Sequence, residues 1–199
     1  MATNFPTNID TFTDKTSSDL ITSAKWNNLQ DAIEALEVKV GADNSTVTTS
    51  HDYKINTIGK IKARAYRNAE QSIAGRTAEK ILIDTISFDT EDVVDVTTNN
   101  RIIPNLAGYY QVSGNARLGG IPDGEHFFCS IFKNGERVSA GAYFRSGSSG
   151  QGISTVSDLV YMNGTTDYLE IYIWSSSSSD LPLTVGESFQ NYISIVGPF

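Results

Sequence analysis

The chain has 199 residues, 39% hydrophobic and 19% charged, which is enough for one ordinary domain with a real core plus an accessory segment. Its formal charge of −8 and pI of about 4.7 exclude a surface built to neutralise phosphates, so nucleic acid is not expected as a partner. The one cysteine, Cys129, excludes an intrachain disulfide and a cysteine metal site; within the apolar run Phe127-Phe128-Cys129-Ser130-Ile131-Phe132 it is read as a packed core thiol.

Residues 1–22 are polar, rich in Thr, Asn, Asp and Ser, with Phe5, Pro6, Ile9, Phe12 and Leu20 isolated among them. So few apolar groups cannot build a core, and the segment is expected to be an extended anchor that orders against a partner, with Phe5, Pro6, Ile9 and Phe12 as its contacts. The opening Met1 to Pro6 lacks the basic and apolar regions of a secretion signal, and no apolar run approaches the ~18 residues of a membrane span. The chain is therefore expected to be made in the cytosol and not to insert in a membrane.

From Ser23 to Val40 the apolar residues Trp26, Leu29, Ile33, Leu36 and Val40 recur at alternating spacings of three and four, the seam of a coiled coil. Ser23 is expected to cap the start and Gly41 to end the helix. A helix of roughly 27 Å is marginal alone, so its stripe must be buried against other chains or a neighbouring domain. Asp31, Glu34, Glu37 and Lys39 leave one narrow seam, which favours self-association over packing on the chain's own head; dimer and trimer both remain open. Residues 42–62 read as a linker, extended to Asp52, with Tyr53, Ile55, Ile58 and Ile61 as a second short neck.

Beyond Ala63 the texture turns to short β-type runs: Ile81-Leu82-Ile83, then Tyr110, Val112, Gly114, Ala116 and Leu118 in alternation, then Leu169, Ile171 and Ile173, and finally Ile193 and Ile195. Period-two patterning over many short runs means a sandwich or barrel. Asn134-Gly135, Asn163-Gly164 and Asp123-Gly124 supply the positive φ of tight hairpins. The head is taken as residues 63–199, and the fold class as mainly β.

Catalytic signatures are missing. His51 and His126 share no spacing with each other or with carboxylates that would make a zinc site. Asp89, Glu91, Asp92 and Asp95 could hold a hard cation such as calcium through their carboxylates, but they lack the glycine and periodicity of a calcium loop, and a solvated acidic loop is the expected reading. No nucleophile elbow, zinc-protease run or phosphate-cradling loop occurs, and Gly147 to Gly152 lacks both the elbow and a Lys. A pair of carboxylates for sugar cleavage needs only a separation in space, which sequence leaves open, yet the head is small for an elongated cleft. Tyr109, Tyr110, Tyr143, Tyr161, Tyr168, Tyr172, Trp174 and Tyr192 are expected mostly to fill the core and a subunit interface. No catalytic residue, cofactor or metal ligand is assigned.

Three fragments carry a resemblance: Arg101 to Val112 with its Gly108-Tyr109-Tyr110, Ile131 to Gly135 with Lys133-Asn134-Gly135, and Val160 to Ile171 with Asp167-Tyr168-Leu169-Glu170-Ile171. Together with Ser188-Phe189-Gln190 through Val196, they make residues 63–199 resemble the globular heads of the complement component that recognises antibody, a tumour-necrosis-factor-like jelly roll. Leu106 stands where that family commonly has an aromatic residue. The opening Phe5-Pro6-Thr7-Asn8-Ile9-Asp10-Thr11-Phe12-Thr13, with Trp26-Asn27-Asn28-Leu29-Gln30-Asp31-Ala32-Ile33-Glu34-Ala35-Leu36-Glu37, resembles bacteriophage tail-fibre and structural proteins.

The first resemblance implies a ten-stranded, two-sheet head that trimerises. The second implies a virion component, held to other virion proteins by its N-terminus. Together they suggest a trimeric fibre or appendage whose head contacts a host-surface glycan or protein; a capsid, collar or baseplate decoration without receptor binding is the alternative. A secreted ligand-binding head would carry a signal peptide and collagen-like repeats, and neither is present.

If strands at about 80–88, 100–106, 108–119, 125–133, 136–146, 152–163, 166–175 and 187–197 alternate in direction, their loops sort by parity to two ends. The turns at Lys133-Asn134-Gly135 and Asn163-Gly164 join the C-terminus and stalk. Gly120–Glu125, Ser146–Gly152, Ser175–Gly186 and Asp89–Val96 fall at the far end. Loops on a rigid scaffold carry function, so Asp123, His126, Arg145, Ser175, Ser177 and Asp180 are the expected recognition residues; loops that merely solvate the tip are the alternative.

Overall fold

The structure, a computed structural model, describes residues 22–41 and 45–199, and the chain divides into two units, Met1–Ile58 and Gly59–Phe199. The anchor residues Phe5, Pro6, Ile9 and Phe12 lie outside the described residues.

In the first unit α1 spans Ser23–Val40. Its cap is Thr22 rather than Ser23: Thr22 keeps extended backbone, and its hydroxyl accepts from the Lys25 N–H at 3.3 Å, whereas Ser23 is already helical. Gly41 closes the helix at φ +84°, donating its N–H to the Glu37 carbonyl at 2.7 Å. None of the helix's residues is buried within the chain. Residues 51–57, read from sequence as connector and neck, form a second helix, α2 (His51–Thr57). Seven residues are too few to show a period; the local signal is Ser50, whose hydroxyl accepts from the Tyr53 N–H at 3.2 Å. Ile55 and Ile58 project to solvent.

The second unit holds fourteen strands: β1 (Ile61–Tyr66), β2 (Ser72–Ile73), β3 (Ala78–Lys80), β4 (Thr85–Asp89), β5 (Val94–Asp95), β6 (Arg101–Ile102), β7 (Ala107–Ile121), β8 (His126–Lys133), β9 (Glu136–Ala140), β10 (Phe144–Arg145), β11 (Gly150–Asn163), β12 (Leu169–Ser175), β13 (Leu181–Pro182) and β14 (Tyr192–Gly197). Ile61 is fully buried, so the expected linker through residue 62 already contains the first strand. One sheet runs β11-β7-β14-β1-β4. The other runs β10-β8-β12-β6-β5, with β3 added on β12 and β9 on β8; β13 and β2 form a separate ribbon. Every pairing is antiparallel, and the two sheets stack as a jelly-roll sandwich.

Alternation creates the core. Ile61, Tyr110, Val112 and Leu118 point inward from the first sheet and meet Phe127, Ile131, Leu169 and Ile171 from the second. Gly114 lets the sheets close, because a Cβ there would stand 2.4 Å from the Ile171 Cδ1. Cys129 is buried as expected, and burial pushes its thiol up to about 11. Tyr110 is fully enclosed, yet its hydroxyl donates to the Leu106 carbonyl at 2.9 Å. Burial also holds that phenol above its ordinary pKa. Leu106 itself packs on the core. Tyr110→Phe should leave that carbonyl unpaired and lower stability by about 1 kcal/mol, read as an earlier denaturant midpoint at unchanged slope.

At the end of the sandwich holding Ile61 and Gly197, two turns grip each other. Asn134 and Gly135 take positive φ, +54° and +81°, as a tight hairpin requires. The Asn163 turn is different in kind: its side-chain carbonyl accepts from the N–H groups of Thr165, Thr166 and Asp167. Asp167 then accepts from Asn134 Nδ2 at 2.8 Å and from the Asn163 N–H at 3.0 Å, and pairs with Lys133 Nζ at 2.8 Å. Both turns thus lie at the end assigned to them by parity.

The acidic stretch Asp89–Val96 does not follow its expected parity. Asp89 pairs with Ala63 and Thr90 bonds Lys62, so the stretch starts at the proximal end, beside the entry of β1. The cause is β5, too short for a period-two reading. It pairs with β6 and turns the single strand expected near residue 100 into a hairpin, which reverses the parity of everything before it. Its carboxylates bond locally: Asp89 accepts from the N–H of Val94 at 2.8 Å, Glu91 pairs with Lys60 at 3.2 Å, and Asp95 accepts from the N–H of Thr98 at 2.9 Å. The Thr98 bond, followed by that from the Asn99 side chain, holds the Asp95 carboxyl well below the usual range.

Candidate functional site

Three loops assigned to the far end meet there. The Gly124 N–H donates to the Ser146 carbonyl at 3.0 Å and the Ser146 N–H to the Glu125 carbonyl at 2.9 Å, which joins the loop after β7 to that before β11. The His126 N–H donates to the Ser176 hydroxyl at 2.9 Å, and the Ser176 N–H returns to the His126 carbonyl at 2.9 Å. The Ser176 hydroxyl also donates to the Glu125 carboxylate. A fourth segment, unforeseen because residues 63–80 offered no clear strand, joins them: the Arg76 N–H donates to the Ser175 carbonyl at 3.0 Å.

Of the six expected recognition residues, Asp123, Arg145 and Asp180 are exposed and His126 is half-buried. Ser175 and Ser177 are buried, which corrects their assignment: Ser175 Oγ accepts from the Ser177 N–H, and the Ser177 hydroxyl donates to the Ser179 carbonyl at 2.9 Å. Their side chains brace the loop from within. The serines that parity sends to the far end are in part the loop's own scaffolding.

No cluster of histidine, cysteine and carboxylate residues suited to a metal occurs among the described residues, nor does any described helix have the length and apolarity to cross a membrane.

Among the described residues, α1 and the first sheet each expose an apolar surface. On α1 the seam residues Trp26, Leu29, Ile33, Leu36 and Val40 are each about half exposed. On the outward face of the first sheet, Tyr109 and Tyr161 are cross-strand partners with ring centroids 5.4 Å apart, set edge to face. Leu159 and Ile153 continue this face along β11. Of the eight tyrosine and tryptophan residues expected mainly in core and interface, only Tyr110 is fully buried. In a strand the side next to an inward residue points outward, so Tyr109, Tyr161 and Tyr192 lie on the outer face of one sheet, and Tyr172 and Trp174 on that of the other.

No family model matches the chain, and no curated protein matches it. Solved structures do match. Murine APRIL at pH 5.0 is similar with a TM-score of 0.52 at 8% identity, over 68% of this chain and 97% of that one. The globular domain of zebrafish complement 1qA protein is similar with a TM-score of 0.50 at 10% identity, over 70% of this chain and 98% of that one. At such identities the likeness establishes the fold, the jelly roll expected from the motifs at Tyr109-Tyr110, Asn134-Gly135 and Asp167-Tyr168.

Proposed function

We propose that this protein is a non-enzymatic, trimeric appendage of a bacteriophage particle, docked by residues 1–22, assembled along α1 and presenting its jelly-roll head to the host surface. The observation that carries self-association is the uncovered seam of α1. A soluble monomer rarely leaves so regular an apolar stripe in water, and the acidic and polar residues around it suit contact with copies of itself. The Tyr109–Tyr161 face offers the head a surface of its own for the same association. The placement on a virus particle is supported by the likeness of Phe5 to Thr13 and Trp26 to Glu37 to phage fibre openings.

The test compares the full chain with one lacking residues 1–22. Light scattering is expected to give three copies for both, while particles lacking the protein take up the full chain and not the shortened one. A monomer at every concentration, or normal uptake of the shortened chain, would overturn the reading. Uptake without any gain in binding to host cells would establish a decoration protein instead.

A further inference from the structure

The outward face of the second sheet carries a cleft of about 530 Å³, of the size that takes a small ligand. Four of the aromatic side chains that line it form a closed circuit. His126 and Tyr143 have ring centroids 5.4 Å apart, Tyr143 and Phe128 4.5 Å, Phe128 and Trp174 5.7 Å, and Trp174 and His126 5.6 Å. Neighbouring rings are tilted by 37° to 49°, so the surface is faceted rather than flat. Phe128, 4% exposed, forms the floor, while Tyr143 is 64% exposed.

The polar atoms decide the ligand class. The Trp174 indole N–H, the His126 imidazole, the Tyr143 hydroxyl and the Arg137 guanidinium have no hydrogen-bond partner among the described residues. All four residues line the same concavity. In a protein of net charge −8, no carboxylate lines this cleft and Arg137 is its one cationic guanidinium. Arg137 itself lies over the Phe128 ring, 5.6 Å from its centroid, so the position a cationic ligand would take over that ring is already filled. A planar guanidinium with free donors suits a carboxylate or phosphate. The open ring faces suit the apolar C–H face of a sugar, with Tyr143 and Trp174 contributing large area at little entropic cost. The second cleft, between Gln71 and Pro182, lacks this equipment: it has no aromatic lining, and the Gln71 amide is engaged with Lys80 and Leu82.

We infer that the cleft bounded by His126, Phe128, Tyr143 and Trp174 is a binding site for a saccharide carrying an anionic group, its ring stacked on Tyr143 and Trp174 and its charge held by Arg137. This rests on the reading of the head as the surface-contacting part, and it places the contact on the flank of the sandwich. His126, expected in the distal loops, becomes part of its lining.

Trp26 and Trp174 are the two tryptophans, so in full-length protein carrying Trp26→Phe the emission reports Trp174 alone. The protein is tested on an array of uronic-acid-, sialic-acid- and phosphate-bearing oligosaccharides beside neutral ones, and titrated with each glycan that is retained. Binding confined to anionic glycans is expected, with a saturable change in Trp174 emission. Tyr143→Ala should weaken it at least tenfold, and Arg137→Gln should erase the preference for charge; both residues are exposed, so melting should move little. Retention of no glycan, or retention unchanged by both substitutions, would overturn the site. A mass above the trimer that Tyr143→Ala abolishes would reassign the cleft to packing between copies. Particle uptake scored in parallel separates the two claims: uptake with no glycan binding removes the site alone, and glycan binding with no uptake removes the virion role alone.

Discussion

Leu29→Asp together with Ile33→Asp is expected to abolish association along α1 while leaving the jelly-roll head folded. The two side chains occupy consecutive seam positions and are 46% and 47% exposed in the single chain. On the proposed association their further burial comes from other copies, at about 1.5 to 3 kcal/mol for each one fully buried. Substitution loses that burial in every copy and sets carboxylates against each other in a confined seam, where like charges repel. An eighteen-residue helix is marginal alone, so helical signal should fall with the loss of association. Circular dichroism and sedimentation equilibrium on the double variant would show both changes, with the β signal and its melting retained. Unchanged helix content and unchanged mass would refute the coiled-coil reading of α1.

Asp167→Ala is expected to cost about 3 kcal/mol, because it breaks a largely buried ion pair and releases two further donors at once. The side chains of Asp167 and Lys133 are 10% and 22% exposed, so the pair is only weakly screened by water. The hydrogen bond from Asn134, then that from Lys133, lowers the carboxyl below its ordinary value of 3.8. The folded protein thus releases this proton more readily than the unfolded chain does. The resulting stability is fully present above the ordinary carboxylate pKa and is lost as pH falls through the depressed folded value. Asp167→Asn, which keeps shape and removes charge, should flatten that acid limb. Equilibrium denaturation from pH 6 down to pH 2 distinguishes this from a purely steric effect: parallel curves for Asn and wild type would exclude it.

Much of this architecture was legible because it rests on local rules. The three-and-four spacing from Trp26 to Val40 marks a helix whatever its surroundings, and the alternation from Tyr110 to Leu118 marks a strand covered on one side. Asn134-Gly135 announces its turn through a backbone conformation that few residue types tolerate. What escaped depends on tertiary context. Val94-Asp95 is a strand only because Arg101-Ile102 lies beside it, and two residues have no period; with it went the placement of the acidic stretch. Strand parity sends Ser175 and Ser177 to the recognition surface, whereas Ser175 is the inward-facing end of β12 and Ser177 is turned in by its bond to the Ser179 carbonyl. The aromatic cleft was hidden for a related reason. Its members come from β8, from the approach to β10, and from β12, and period-two reading gives the face of each strand but not which strands stand together.

The place of β14 has a consequence for synthesis. Residues 192–197 occupy a middle position of their sheet, between β1, which begins 131 residues earlier at Ile61, and β7. Domains commonly fold as they leave the ribosome, but this one lacks an interior strand until almost the whole head has been translated. A stalled or shortened product would present two raw strand edges, those of β1 and β7, which invite aggregation and proteolysis. The order of strands along the chain thus keeps the first sheet open at its middle until its last strand has been made.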